Sequence, residues 1–178
     1  IGAVNTIVVR RRAVGYNTDA AGFMRALTEL GWRPRACHAV ILGAGGAARA
    51  VAWALSRTPG MRLVVANRHV ERARMLARWL KRVRPSVSVH PVALRDVALD
   101  HAELLVNATT AGMHPGDASP VDPKRLPHGL LVYDVVYHRR TELLEAASRR
   151  GCVAAGGLSM LLYQGAESLR LWLGCTPP

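Results

Sequence analysis

The segment Gly43-Ala44-Gly45-Gly46-Ala47-Ala48 is the most chemically pointed part of this 178-residue sequence. It fits G-x-G-x-x-A between an apolar run, Ala39–Leu42, and a helical pattern, Ala47–Arg57. In that context Gly43 permits a sharp turn, Gly45 lets an anion approach the backbone, and Ala48 keeps the helix near the strand. The helix start adds unpaired N–H groups and the positive end of a dipole, so the expected chemistry is pyrophosphate binding, with Ala44, Gly46 and Ala47 on the same turn. The end of the next apolar run sorts the nucleotide. A ribose 2′-hydroxyl calls for a carboxylate there. This chain instead has Asn67-Arg68-His69, with Arg72 a turn further and Glu71 already inside a helical pattern. A guanidinium fork suits a 2′-phosphate, which predicts NADP rather than NAD. Asp19 is a second candidate, open to two readings from its neighbours Asn17 and Thr18: a helix N-cap or a site carboxylate.

Alternating elements position these residues. Ala3–Val9 and Ala13–Tyr16 read as two short strands around the turn Arg10–Arg12, followed by a helix through Phe23, Leu27 and Leu30 that Gly31 stops. From Ala39 onward, strands at Ala39–Leu42, Arg62–Ala66, Ser86–Val89, Leu104–Asn107, Leu130–Val136 and Val153–Ala155 are interleaved with helical patterns at Val70–Arg82 and Thr141–Arg150. Leu158–Trp172 reads as a closing helix. This order predicts an α/β fold with a doubly wound, mostly parallel sheet of the Rossmann type. The proline-rich stretch 114–128 reads as a surface loop.

Composition narrows the function classes. There are 24 Lys and Arg against 12 Asp and Glu, a formal charge of +12, yet aromatic residues are only 5% of the chain. Scattered arginines with so few stacking partners argue against a nucleic-acid reader. No apolar run is long enough for a membrane span. Cys37, Cys152 and Cys175 have neither disulfide-framework nor metal-site spacing, so no metal is expected and a reducing, cytoplasmic location is. The chain begins in a strand-like stretch at Ile1, which suggests a piece of a longer protein.

Several segments together resemble the shikimate dehydrogenase family, in that family's order. They are Gly2-Ala3-Val4-Asn5-Thr6, Gly15 to Gly22 as G-x-N-T-D-x-x-G, the glycine turn at 43–48, and Asn67 to Ala73. Asn107 to Met113 as N-[AT]-[ST]-x-x-G-M, Asp134-Val135-Val136-Tyr137, and Gly157 to Gln164 as G-x-x-M-L-x-x-Q complete the set. Two positions depart from the pattern: Arg139 stands where the family usually has proline, and His69 where it has Thr or Ser.

The resemblance implies reversible hydride transfer between NADPH and 3-dehydroshikimate, giving shikimate. It implies Asp19 as the catalytic partner of a lysine and a substrate contact. Asn5, Tyr137 and Gln164 are the other implied substrate contacts, while Thr109, Met113, Val135 and Gly157 border the nicotinamide. It further implies three parts: residues 1–18 as the end of a substrate domain, 19–157 as the NADP-binding domain, and 158–178 as a closing helix returning to the substrate domain. The family's lysine belongs to an N-terminal domain, and neither Lys81 nor Lys124 matches it, so this piece is expected to be inactive alone. Its partner is then a small molecule, with neither membrane nor nucleic acid, and a homodimer is compatible. The alternatives are an NAD-using quinate/shikimate dehydrogenase, against which Arg68 speaks, and a non-catalytic NADP- or shikimate-binding module.

Overall fold

The computed structural model describes residues 1–175; residues 176–178 of the expected closing segment lie outside the described part. β1 (Thr6–Val9) and β2 (Ala13–Tyr16) form an antiparallel hairpin. α1 (Asp19–Glu29) leads into a six-stranded parallel sheet built from β3 (His38–Leu42), β4 (Arg62–Asn67), β5 (Ser88–Ala93), β6 (Leu104–Asn107), β7 (Leu131–Asp134) and β8 (Val153–Gly156). The helices between and after them are α2 (Gly46–Leu55), α3 (Val70–Val83), α4 (Glu142–Arg149) and α5 (Leu158–Leu173).

The strand order is β5-β4-β3-β6-β7-β8. The chain winds outward from β3 to one edge, then returns to β6 and winds to the other, so the reversal lies between β3 and β6. Ligands of such sheets bind at that crevice, beyond the carboxyl ends of the strands. Both turns that the sequence marks out, after Leu42 and after Asn107, leave the sheet there.

Alternation along the strands supplies both faces of the core. Ala39, Ile41, Leu63, Val65, Leu104, Val106 and Tyr133 pack with α1, α2 and α3 on one side, while Val40, Leu42, Leu105 and Val132 pack with Leu143, Leu144 and Ala147 of α4 on the other. Central strands buried on both faces are continuous apolar runs for this reason. Each fully buried leucine or isoleucine contributes about 1.5–3 kcal/mol.

The elements differ from expectation at their ends. β1 begins at Thr6 rather than Ala3, because Gly2 turns the backbone at φ 77° and lays the segment against α2, where Ala3 and Gly46 approach. β5 continues through Pro91 to Ala93 instead of stopping at Val89. It is an edge strand, so a proline without an N–H is accommodated. The strand expected over Leu130–Val136 is confined to Leu131–Asp134. α5 packs mainly on α1, with a further contact to β1 where the Trp172 indole N–H donates to the Ile7 carbonyl at 2.9 Å. Leu158, Leu162, Trp172 and Leu173 of α5 are left exposed.

Candidate functional site

The structure gathers the candidate residues into two groups, and different physics builds each. The first is the crevice at the carboxyl ends of β3, β4 and β6. Gly43 has φ 110°, and a Cβ there would lie 2.5 Å from the Ala108 carbonyl oxygen, so only glycine fits. The Gly43 N–H donates to the Ala66 carbonyl and the Ala108 N–H to the Leu42 carbonyl, which ties three strand ends together. Gly45 starts α2 and opens onto free space: nothing lies within 4 Å of where its Cβ would be. No side chain caps this helix and its first turn, Gly46 and Ala47 included, carries no carboxylate, so its leading N–H groups are left without a side-chain partner. Gly43, Ala44, Gly45, Asn67, Arg68, Arg72 and Thr109 all border one open cleft of about 700 Å³.

The turn from β4 to α3 is shaped by Asn67, whose Oδ1 accepts the His69 N–H at 2.9 Å. Arg68, His69 and Arg72 all line this cleft, and the one carboxylate of the first turn of α3, Glu71, pairs with Arg74. His114 and Asp117, on the loop after β6, line the same cleft.

That loop is held by a buried strut. β6 and β7 are in register so that Asn107 faces Asp134 directly. Asn107 Nδ2 donates to Asp134 Oδ1 at 3.0 Å, and Asn107 Oδ1 accepts from the Thr109 N–H and, at 2.7 Å, from its hydroxyl. Asp134 Oδ2 accepts from the Thr141 hydroxyl at 2.7 Å, and Thr141 caps α4. Burial pushes the Asp134 carboxyl above its ordinary value, offset by donation from the Val136 N–H, Thr141 and Asn107. Neither Asn107 nor Asp134 was a candidate from the sequence; their spacing in the chain conceals that they are cross-strand neighbours.

Val135 and Gly157 meet at the ends of β7 and β8. A Cβ on Gly157 would lie 2.2 Å from the Val135 carbonyl oxygen, so the two backbones touch. Met113 is exposed and lies off the cleft wall; its carbonyl meets His138 Nε2 at 2.9 Å, joining the loops after β6 and β7. Tyr137 is also exposed, with its ring edge-on to His138.

The second group lies where the hairpin, α1 and α5 converge. Asp19 is the first residue of α1 and Thr18 its N-cap, so Asp19 is not spent on capping. Asn5 Oδ1 accepts the Thr18 N–H at 2.9 Å, which fixes the direction of its amide. Asn5 Nδ2 therefore faces Asp19 Oδ1 at 2.8 Å and Gln164 Oε1 at 3.2 Å. Gln164 is fixed likewise, because its Nε2 donates to the Leu161 carbonyl. Gly22 makes this meeting possible: a Cβ there would come within 2.7 Å of the Met160 carbonyl oxygen and 2.8 Å of Gln164 N, so α1 and α5 cross in close contact. Asp19 Oδ2 takes no hydrogen bond among the described residues. Partial burial raises the Asp19 carboxyl above the ordinary aspartate value, and the Asn5 amide pulls it back down. The segment Ile1–Asn5 links the two groups, since Ala3 lies over Gly46 and the Ile1 carbonyl accepts from Arg49.

Among the described residues there is no cluster able to hold a metal ion and no helix long and apolar enough to cross a membrane.

Comparison with known proteins agrees with this geometry. Residues 26–125 match the family "Shikimate / quinate 5-dehydrogenase", and residues 157–178 match "Shikimate 5'-dehydrogenase C-terminal domain". A shikimate dehydrogenase (NADP(+)) of Moorella thermoacetica is 47% identical over the whole of this chain and 62% of its own length. A crystal structure of a shikimate dehydrogenase in complex with NADP+ superposes with a TM-score of 0.91 at 38% identity, covering 99% of this chain and 63% of that one. The Thermus thermophilus shikimate 5-dehydrogenase, in complex with NADP(H) and shikimate, gives 0.84 at 40% identity over 99% and 64%. The chain thus spans less than two thirds of the length of these relatives. With a family match over residues 26–125, more than half of its length, the chain belongs to the shikimate/quinate dehydrogenase family.

Proposed function

We propose that this chain is the nucleotide-binding part, and one wall of the substrate site, of an NADP-dependent shikimate dehydrogenase. One observation carries the reading. Asp19, Asn5 and Gln164 converge with their amides fixed by backbone groups, leaving one Asp19 oxygen open. Such a wall offers the open Asp19 oxygen as an acceptor and the second Gln164 Nε2 proton as a donor to the hydroxyls of a polyol.

The crevice fits the nucleotide: an uncapped helix start without carboxylates in its first turn, open space at Gly45, and Arg68, His69 and Arg72 along the same cleft. Gly43, Gly45, Gly46 and Ala47 would receive the pyrophosphate. Arg68 and Arg72, on a turn shaped by Asn67, would take the 2′-phosphate. Thr109 is braced by Asn107, and with the touching backbones of Val135 and Gly157 it would border the nicotinamide; Met113 and Tyr137 sit on the neighbouring loops. When bound, the nicotinamide supplies or accepts the hydride.

Asp19 would hold a substrate hydroxyl and orient the lysine that protonates the developing alkoxide. That lysine would come from polypeptide outside these 178 residues, since Lys81 and Lys124 are exposed on α3 and on the loop before β7. In this reading residues 1–18 and 158–178 belong with the substrate domain and 19–157 form the NADP-binding domain. The three cysteines are unpaired, which supports a cytoplasmic location.

The test is turnover by the whole polypeptide. NADPH should appear when shikimate and NADP+ are supplied, whereas the 178-residue chain should bind NADP+ without turnover. No turnover by the whole polypeptide with either nicotinamide would remove the reading.

A further inference from the structure

Beneath the polyol-facing amides lies a set of buried hydroxyls that the mechanism above does not use. Thr6, Thr18 and Ser168 are 2%, 2% and 5% exposed. They come from three different elements: β1, the cap of α1, and α5.

Each hydroxyl has one proton, so the donors can be assigned. Ser168 Oγ lies 2.9 Å from the Gln164 carbonyl, one helical turn back, and gives its proton to it. With that proton committed, Ser168 Oγ can only accept from its neighbours. Thr6 Oγ1 is 2.6 Å away and donates to it. The other acceptor open to Thr6, Asn5 Oδ1, is more distant at 3.2 Å and already receives the Thr18 N–H. Thr18 Oγ1 accepts from Asn5 Nδ2 at 2.9 Å, and its own proton has three acceptors in reach, Ser168 Oγ at 3.1 Å and Asn5 Oδ1 and Gln164 Oε1 at 3.2 Å; Ser168 Oγ already takes the Thr6 proton and Asn5 Oδ1 the Thr18 N–H, so it goes to Gln164 Oε1.

We propose that Ser168 is a positioning residue for substrate binding. By taking the Thr6 proton it leaves Thr18 to bridge Asn5 and Gln164, and so holds both amides toward Asp19. Without the Ser168 hydroxyl, the buried Thr6 proton has only Asn5 Oδ1 to turn to, and Asn5 is drawn off its alignment. Ser168 itself is buried and acts only through Thr6 and Thr18.

This inference deepens the dehydrogenase reading and rests on it. In the whole enzyme, Ser168→Ala should raise the KM for shikimate about tenfold, as loss of a buried hydrogen bond does, with kcat and the KM for NADP+ within about twofold of the parent. Thr6→Val should do the same, and the double variant should be no worse than either single one, because both break one link. Effects that multiply, or equal changes in both KM values, would overturn the proposal. A parent enzyme without turnover would refute the dehydrogenase reading instead, and the proposal is then judged by nuclear magnetic resonance on the labelled 178-residue chain. There Ser168→Ala should speed exchange of the Asn5 and Gln164 side-chain amide protons about tenfold, and unchanged exchange would overturn it.

Discussion

The crevice at the glycine turn and the cluster at the crossing of α1 and α5 are assembled from opposite materials. The crevice is made of backbone: a φ of 110° at Gly43, an uncapped helix start, and three strand ends held by main-chain hydrogen bonds. The cluster is made of side chains whose orientations depend on one another, from Asn5 through Thr18 to Gln164. A backbone site is robust to its neighbours' identity but intolerant of any added Cβ. A side-chain site can fail by a single rotation. Breaking one should therefore leave the other largely intact.

The strongest test of that separation is Gly22→Ala. The added methyl would meet α5 backbone at 2.7 Å, forcing the helices apart. Stability should fall by about 2–3 kcal/mol in urea titrations. Shikimate binding should weaken by about a hundredfold, since a buried polar network is lost together. NADP+ binding should change little, and equal loss of both ligands would refute the division.

The converse is Gly43→Ala, where both the positive φ and the 2.5 Å approach to Ala108 oppose a side chain. Here NADP+ affinity should fall at least about tenfold, with about 1–3 kcal/mol lost in stability, while exchange of the Asn5 side-chain amide stays as in the parent.

Arg68→Ala should leave stability unchanged and cut the preference for NADP+ over NAD+ about tenfold, the worth of a charge-assisted contact. An unaltered ratio would take Arg68 out of phosphate recognition.

The smallest effect is the titration of Asp19. Its carboxyl is raised in the folded chain, so the neutral form is favoured there more than in the unfolded chain. The resulting stability is complete below the ordinary aspartate value of about 4 and is lost as pH rises through the folded value. Urea midpoints of the parent relative to Asp19→Asn should drift downward over that window, and an upward drift would contradict the burial argument.

The same contrast explains what could be read without coordinates. Gly43, Gly45, Asn67 and Arg68 lie on two adjacent strand–helix turns, so local pattern suffices to place them on one crevice. The alternation of apolar runs with helical ones is enough for a doubly wound parallel sheet. Asn107 and Asp134 were hidden because their partnership depends on the β6–β7 register. Ser168 carries no signal, and Thr6 stands out only as the end of the Gly2–Thr6 segment; that the two hydroxyls meet depends on a close crossing that neither position shows. The residue most responsible for that crossing, Gly22, is marked in the sequence as the last glycine of the Gly15–Gly22 segment, but what it must avoid, the backbone of a helix about 140 residues away, is not.

Gly22 also sets a rule for recombining this scaffold. With no side chain at the point of closest approach, α1 and α5 fit like two halves of one casting, although they are separated by most of the chain. A chimera that takes α1 from one parent and α5 from another inherits mismatched halves, however faithfully each motif is copied. Crossover points belong outside Asp19–Leu173, or in pairs that carry both helices from the same parent.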